Sequence, residues 1–315
     1  MVQPSWIEPE LATLTKERFS DPAWITERKL DGERCLAFVS GDSVRLLTRN
    51  KKSITGTYPE LAAALGAQRA GDFIVDGEIV AFDGAQTSFA RLQQRMQLAA
   101  PLPELVRRVP VHFYLFDVVY AEGQDLRRLP LLERKQVLRR LLSFGAPLRF
   151  STHRTGKGEA HWQDACRKGW EGVIAKRADS PYDGGRSKNW LKFKCVRDQE
   201  FVVGGYTSPQ GSRIGLGALL LGYYDGRDLV YAGKVGTGFD DATLRSLHER
   251  LAPIEVATPP FTRGLGRESG ARWVRPELVA QIGFTEWTRD GKLRHPRYQG
   301  LRIDKSPDEV VRETH

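Results

Sequence analysis

Cysteine is scarce: the 315 residues hold three, Cys35, Cys166 and Cys195, odd in number and far apart along the chain. None stands at a metal-ligand spacing, which argues against structural zinc and points to a reducing compartment. No apolar run approaches the length that crosses a bilayer, and the N-terminus lacks the basic-then-apolar order of a secretion signal, so a cytoplasmic protein is expected. There is no long Lys/Arg tail either. The surplus of 48 Lys and Arg over 39 Asp and Glu, a net charge of +9 with a pI of about 9.5, fits a polyanionic partner as well as a merely basic soluble protein. The length suits two domains, each able to bury its own core.

What is present centres on Glu27-Arg28-Lys29-Leu30-Asp31-Gly32-Glu33-Arg34. Trp24-Ile25-Thr26 before it and Cys35–Val39 after it read as strands, so Lys29 sits at a turn in one core. An amine held there becomes a nucleophile when its surroundings leave a neutral fraction near pH 7. Gly32 lets the backbone approach a ligand, Arg34 offers a planar fork to phosphate or ribose oxygens, and Asp31 can orient the turn.

Further along, Gly41-Asp42 reads as a hairpin turn before Val44–Leu47, with Thr48-Arg49-Asn50-Lys51-Lys52 a basic loop. Pro59 opens a helix that Gly71 closes, and Ser88 caps another. Phe73–Phe82 reads as two strand-like runs around Asp76-Gly77, so that Glu78 starts the second. Val111–Val119 should be a central strand. Amphipathic helices Leu131–Leu142 and Glu159–Lys168 lead to a strand at Gly172–Ala175. In Trp190–Cys195, a strand would put Lys192 and Lys194 on one face and Leu191, Phe193 and Cys195 on the other, a placement suited to an anion between the lysines. After Arg197-Asp198 come short glycine-separated strands, Phe201–Tyr206, Ala218–Tyr224, Leu229–Lys234 and Leu278–Thr288, with one helix at Asp241–Leu251 and a polar tail. That pattern reads as a small all-β barrel. Boundaries of 1–196 and 197–315 follow, meeting near Val196–Gln199.

A lysine nucleophile, Arg34, carboxylates at Glu78 and Glu171, an aromatic within Phe113–Phe116, and the pair Lys192/Lys194 together supply what nucleotidyl transfer needs. The carboxylates can hold a divalent metal, the lysines neutralise an α-phosphate as it becomes pentavalent, and an aromatic face stacks on a base.

In that order the sequence resembles the ATP-dependent DNA ligases, most of all the ligase module of bacterial end-joining ligase D proteins. The matching segments are Lys29–Arg34, Phe113–Asp117, Glu171–Lys176, Trp190–Lys194 and Leu301-Arg302-Ile303-Asp304-Lys305, with Phe201–Gly205, Gly233–Phe239 and His295-Pro296 between. The resemblance implies an α+β nucleotidyltransferase (adenylation) domain followed by an OB-fold barrel. It implies adenylation of Lys29 by ATP with Mg or Mn, Glu27 and Phe116 at the adenine, Arg34 and Glu78 near the ribose or metal, and Arg49 beside the nucleotide. Glu171 would help hold metal, and Lys176, Lys192 and Lys194 would face the phosphates. Arg302, Asp304 and Lys305 would close over the β- and γ-phosphates, after which the barrel would swing away about a hinge at Val196–Gln199 to admit DNA.

The implied partner is nicked double-stranded DNA, gripped without sequence readout, with Arg49, Lys51, Lys52, Arg186, Lys188 and Arg213 as candidate phosphate contacts. A monomer associated with the bacterial nucleoid is expected, together with a DNA-end-binding protein and separate polymerase or nuclease modules. Ligase D proteins often carry polymerase and phosphoesterase modules, for which this chain has no room; a stand-alone ligase, a split system and a fragment stay open. Nicotinamide-dependent ligases lack support because their zinc-binding cysteines are missing. A capping guanylyltransferase, an RNA ligase and a non-catalytic nucleic-acid-binding module are the competing classes. The end-joining-type barrel segments argue against the first two, and the intact charged positions argue against the third.

Overall fold

The structure is a computed structural model describing residues 2–96, 98–195, 198–209 and 214–313. The chain divides into two compact units, Met1–Cys195 and Val196–Thr314.

In the first unit the chain runs through β1 (Glu10–Leu14), β2 (Trp24–Arg28), β3 (Glu33–Ser40), β4 (Ser43–Thr48), α1 (Pro59–Gly66) and β5 (Phe73–Asp83). Next come β6 (Gln86–Thr87), α2 (Phe89–Met96), α3 (Pro103–Arg108), β7 (Val111–Ala121), β8 (Gln124–Asp125) and α4 (Leu131–Leu141). The unit ends with β9 (Leu148–Phe150), β10 (His153–Thr155), α5 (Gly158–Arg167), β11 (Gly172–Arg177) and β12 (Gly185–Lys194). Two sheets result. One has the order β1-β12-β11-β2-β10; the other has the order β4-β3-β5-β7-β8, with β6 on β5 and β9 on β7.

Register decides what each face carries. Across β2, β11 and β12, Ile174 pairs with Glu27 on one side and Lys192 on the other, while Lys176 pairs with Ile25 and Trp190. Strand alternation therefore puts Glu27, Ile174, Lys176, Trp190, Lys192 and Lys194 on one face. The opposite face supplies Val173, Ala175 and Phe193, which pack with Ala165 of α5, Trp24 and Trp162 in an apolar cluster. One face is thus closed by a helix, and the charged face meets the second sheet through Phe116, Leu36, Phe38, Tyr182 and Trp190.

The second unit continues with β13 (Asp198–Thr207), β14 (Leu219–Asp225), β15 (Asp228–Val235), α6 (Asp241–Leu251) and β16 (Glu255–Val256). It closes with β17 (Ala271–Gly283), β18 (Glu286–Trp287), β19 (Leu293–Arg294) and β20 (Arg297–Leu301). Its main sheet has the order β15-β14-β13-β17-β16 with β20 on β17. Asp240 caps α6 by accepting from the Thr243 amide at 2.7 Å, and Leu244, Leu247 and Leu251 enter the core with Phe201, Leu220 and Ile282.

Four expectations need correction. Phe73–Asp83 is one continuous strand, not two runs around a turn, because both neighbours bond to it along its length and a Cβ on Gly77 would lie 2.5 Å from the Tyr114 carbonyl oxygen. The strand placed at Leu278–Thr288 starts at Ala271 and ends at Gly283. The polar tail is structured: it carries β19 and β20, and Val310 is buried, its carbonyl accepting from the Tyr224 amide at 2.7 Å. Finally, Cys166 and Cys195 form a disulfide across a Cα separation of 5.2 Å, leaving Cys35 free and buried. Distance along the chain hid this pairing, because α5 folds back onto the end of β12; the cysteine spacing therefore carried no information about compartment. Among the described residues, no helix is long and apolar enough to cross a membrane.

Candidate active site

Lys29 stands one residue beyond the end of β2, its amide donating to the Gly172 carbonyl at 2.9 Å. That bond ties the turn to the start of β11 and points the side chain along the charged face. The Lys29 Nζ donates to Oε1 of Glu171, and both side chains keep a little exposure, 18% and 12%. The other oxygen of that carboxylate, Oε2, is buried and has no hydrogen-bond partner among the described residues. Gly32, expected to permit approach to a ligand, is required by the fold itself: a Cβ there would stand 2.2 Å from the Ile79 carbonyl oxygen of β5.

Beside Lys29 lies a buried ionic group. Glu27, 2% exposed, receives Lys135 Nζ on Oε1 at 2.5 Å, and on Oε2 it receives Lys176 Nζ at 3.0 Å and Ser151 Oγ at 3.1 Å. Burial pushes the Glu27 carboxyl up, but the two ammonium groups outweigh it and hold the acid below its usual range. Burial pulls the Lys176 ammonium down to about 8 against the attraction of Glu27. Its Nζ lies 4.1 Å from the Phe116 ring centre and 3.9 Å from that of Trp190, and the two rings meet edge to face.

Arg34 approaches the same Phe116 ring, 4.5 Å from its centre. Its fork is committed to Asp76, Nε to Oδ1 at 2.5 Å and Nη2 to Oδ2 at 2.6 Å, and Tyr182 donates to Asp76 Oδ2 at 2.6 Å. Burial opposes the charge, yet Asp76 raises the guanidinium above its ordinary value. The fork expected to face phosphate or ribose is thus held inside the protein. Glu78 pairs in register with Arg34 and is half-buried.

Of the other sequence candidates, Lys192 and Lys194 project from β12 on the Lys29 face, Lys194 nearly buried. Arg49 is half-buried just after β4; Lys51 and Lys52 are exposed, Lys51 lying over the Trp6 ring at 5.4 Å. Arg186 and Lys188 are exposed on β12, Arg186 donating to the Ala12 carbonyl at 2.8 Å. Arg213 lies outside the described residues, as do two positions of the expected hinge. Arg302, Asp304 and Lys305 belong to the second unit. There Arg302 grips Asp304 with two bonds of 3.0 and 2.8 Å, and Lys305 pairs with Glu200 at 2.9 Å. Arg302 holds the Asp304 carboxyl low despite its burial.

Sequence reasoning missed Lys135, Ser151, Asp76 and Tyr182. One signal was available for Lys135. Leu131, Arg134, Lys135 and Leu138 recur at the helix period and all are buried, so two charged residues stand inside an apolar stripe. Arg134 proves to be paired with Asp117 by bonds of 2.8 and 2.9 Å, both side chains fully buried.

The chain is similar to known proteins along nearly its whole length. Residues 9–194 match the family described as ATP dependent DNA ligase domain, and residues 212–305 match ATP dependent DNA ligase C terminal region. The multifunctional non-homologous end joining protein LigD of Pseudomonas aeruginosa is 41% identical, over 98% of this chain and 37% of its own length. Its counterpart in Mycolicibacterium smegmatis is 34% identical, over 99% of this chain and 40% of its own length. The chain therefore spans about two fifths of these relatives. Among solved structures, a mycobacterial DNA ligase D complexed with ATP and MES is similar at 34% identity and a TM-score of 0.69, covering 97% of this chain and 98% of that one. The ligase domain of M. tuberculosis LigD aligns over the same shares with a TM-score of 0.52.

Proposed function

The chain belongs to the ATP-dependent DNA ligase family, and from that premise we propose that it seals nicks in duplex DNA through a lysyl-AMP intermediate at Lys29. Its two units are a nucleotidyltransferase domain and an OB-fold domain. The observation that carries the reading is Lys29 itself, a partly exposed amine held on a charged face, with Glu171 against it and the buried Glu27, Lys176, Phe116 and Trp190 group alongside.

Three transfers follow. Lys29 Nζ attacks the α-phosphorus of ATP, forming a P–N bond as the bond to pyrophosphate breaks. An oxygen of the 5′-phosphate at a nick then attacks the AMP phosphorus, forming a P–O–P linkage as the P–N bond breaks and the Lys29 amine leaves. Finally the 3′-hydroxyl attacks that 5′-phosphorus and expels AMP. Before the first transfer Lys29 must lose a proton, and Glu171 Oε1 already accepts its N–H bond. Lys192 and Lys194 offset charge on the phosphates from the same face. The partnerless buried oxygen of Glu171 suits a hard cation, and with Glu78 it would hold a magnesium or manganese ion that lowers the charge barrier at phosphorus. In the second unit, Arg302 and Lys305 are the cations that would meet the β- and γ-phosphates, Arg302 being oriented by Asp304.

The DNA would be gripped through Arg49, Lys51, Lys52, Arg186, Lys188 and Arg213. Non-homologous end joining in the bacterial cytoplasm, at the nucleoid, is the proposed setting. A monomer working with a DNA-end-binding protein and separate polymerase or nuclease modules completes the reading. Wild type and Lys29→Ala are to be incubated with α-labelled ATP or GTP and a divalent metal, then given a nicked duplex with a DNA or RNA 3′ strand. Label from ATP on wild type alone, discharged into a sealed DNA nick, is the expected result. Label from GTP, sealing confined to RNA, or no label would each replace the reading.

A further inference from the structure

Lys135 lies on α4, far from Lys29 in sequence, yet its ammonium is 2% exposed and ends at Glu27. Burying an ammonium is costly unless its N–H groups find acceptors. Lys135 finds three: Glu27 Oε1 at 2.5 Å, the Ser151 carbonyl at 3.0 Å and the Phe116 carbonyl at 3.4 Å. One side chain thereby ties together α4, the Phe116 backbone of β7, the segment leading into β10, and the strand that carries Lys29.

The consequence falls on Glu27. A carboxylate offers about four acceptor positions. Among the described residues three are filled, by Lys135 on Oε1 and by Lys176 and Ser151 on Oε2, which leaves one position on Oε1. Because the two lysines hold the group ionised, that position can only accept. It lies in the same buried group as the Phe116 ring, against which Lys176 rests.

We propose that Lys135, assisted by Ser151, is a positioning residue for nucleotide selection: it holds Glu27 as a fixed acceptor that takes a purine presenting an amino group and rejects one presenting a carbonyl oxygen. The inference rests on the adenylation reading above and adds to it the residues that set base choice. Without Lys135, Glu27 keeps one ammonium partner in a buried site and takes up a proton more readily; a protonated carboxyl can donate, so a carbonyl-bearing purine becomes acceptable.

The test uses wild type, Lys135→Met and Ser151→Ala, with ATP, GTP and purine riboside triphosphate, which has no 6-substituent, as label donors to the protein. In Lys135→Met, kcat/KM for ATP is expected to fall about tenfold while that for purine riboside triphosphate holds, since a bond to a charged acceptor is lost only where the amino group exists. The preference for ATP over GTP should shrink further as pH is lowered. Ser151→Ala removes one hydroxyl and should narrow the ATP preference about threefold, which decides the matter even if Lys135→Met does not fold. Equal losses on all three nucleotides, or unmoved ratios, would overturn the proposal. Label on wild type with unmoved ratios overturns this inference alone, whereas no label on wild type from any nucleotide overturns the adenylation reading and this inference with it.

Discussion

Lys29 Nζ and Glu171 Oε1 are hydrogen-bonded across the turn that joins β2 to β3 and the start of β11, while the second oxygen of Glu171 is buried without a partner among the described residues. One carboxylate therefore meets Lys29 with one oxygen, and the other oxygen is the one proposed above for a cation. Glu171→Gln retains the shape and removes the charge. Self-adenylation should fall roughly 100-fold, as for loss of a proton acceptor, with the circular dichroism spectrum unchanged. An unchanged rate of label uptake would remove Glu171 from the chemistry.

Lys51 and Lys52 are exposed in the loop after β4, Lys51 lying over the Trp6 ring. Replacing both by Ala should leave self-adenylation intact and weaken binding to a nicked duplex. If each contacts one phosphate, the salt dependence of log K should flatten by about 0.9 per contact. Equal affinity across a salt series would take the pair off the DNA surface.

Asp117 and Arg134 form a pair with no exposed side-chain surface, and Arg134 also donates to the Ser180 carbonyl at 3.0 Å. Asp117→Asn strands a buried guanidinium and should cost about 3–5 kcal/mol. Urea denaturation reads this directly; a loss below 1 kcal/mol, the worth of a surface pair, would contradict the burial.

His161 of α5 is 5% exposed, with Nδ1 2.8 Å from the Thr26 hydroxyl. Burial, then Arg154, bring its imidazole down to about 4. An unfolded histidine takes its proton near 6.5, so between pH 6.5 and 4 the unfolded chain binds more protons. Stability from this group is fully present above pH 6.5 and is lost as pH falls towards 4. Thermal melts of wild type and His161→Gln at pH 7 and pH 5 should show a smaller drop in the variant; equal drops would count against the shift.

The Cys166–Cys195 bond closes a loop of 29 residues, for which chain entropy suggests about 3–4 kcal/mol. Cys166→Ser should lower the melting temperature of oxidised protein and leave reduced protein unaffected. Melting curves with and without reductant compare the two, and no difference would mean that the thiols stay apart.

Part of this arrangement was legible in the sequence because short segments with local geometry carry it. The alternation in Leu191–Lys194 puts Lys192 and Lys194 opposite Leu191 and Phe193, and the β12 register bears that out. Helix α6 falls on the expected residues because Asp240 is a cap and leucines recur at its period. Phe73–Asp83 misled because Asp-Gly is a turn signal in isolation, while here two neighbouring strands hold it extended.

By itself the sequence determined the order of chemistry along the chain: an amine in a turn, carboxylates, paired lysines on a strand, and a glycine-punctuated β unit. Period and alternation are properties of a few consecutive residues, so they survive without a fold. Which charges meet was decided only by tertiary structure. Lys135 reaches Glu27 across 108 positions, Tyr182 reaches Asp76 across 106, and Cys166 reaches Cys195 because a helix returns to a strand end. Burial makes such partners obligatory, since a charge removed from water needs another group to answer it, and nothing local in the sequence says which one arrives.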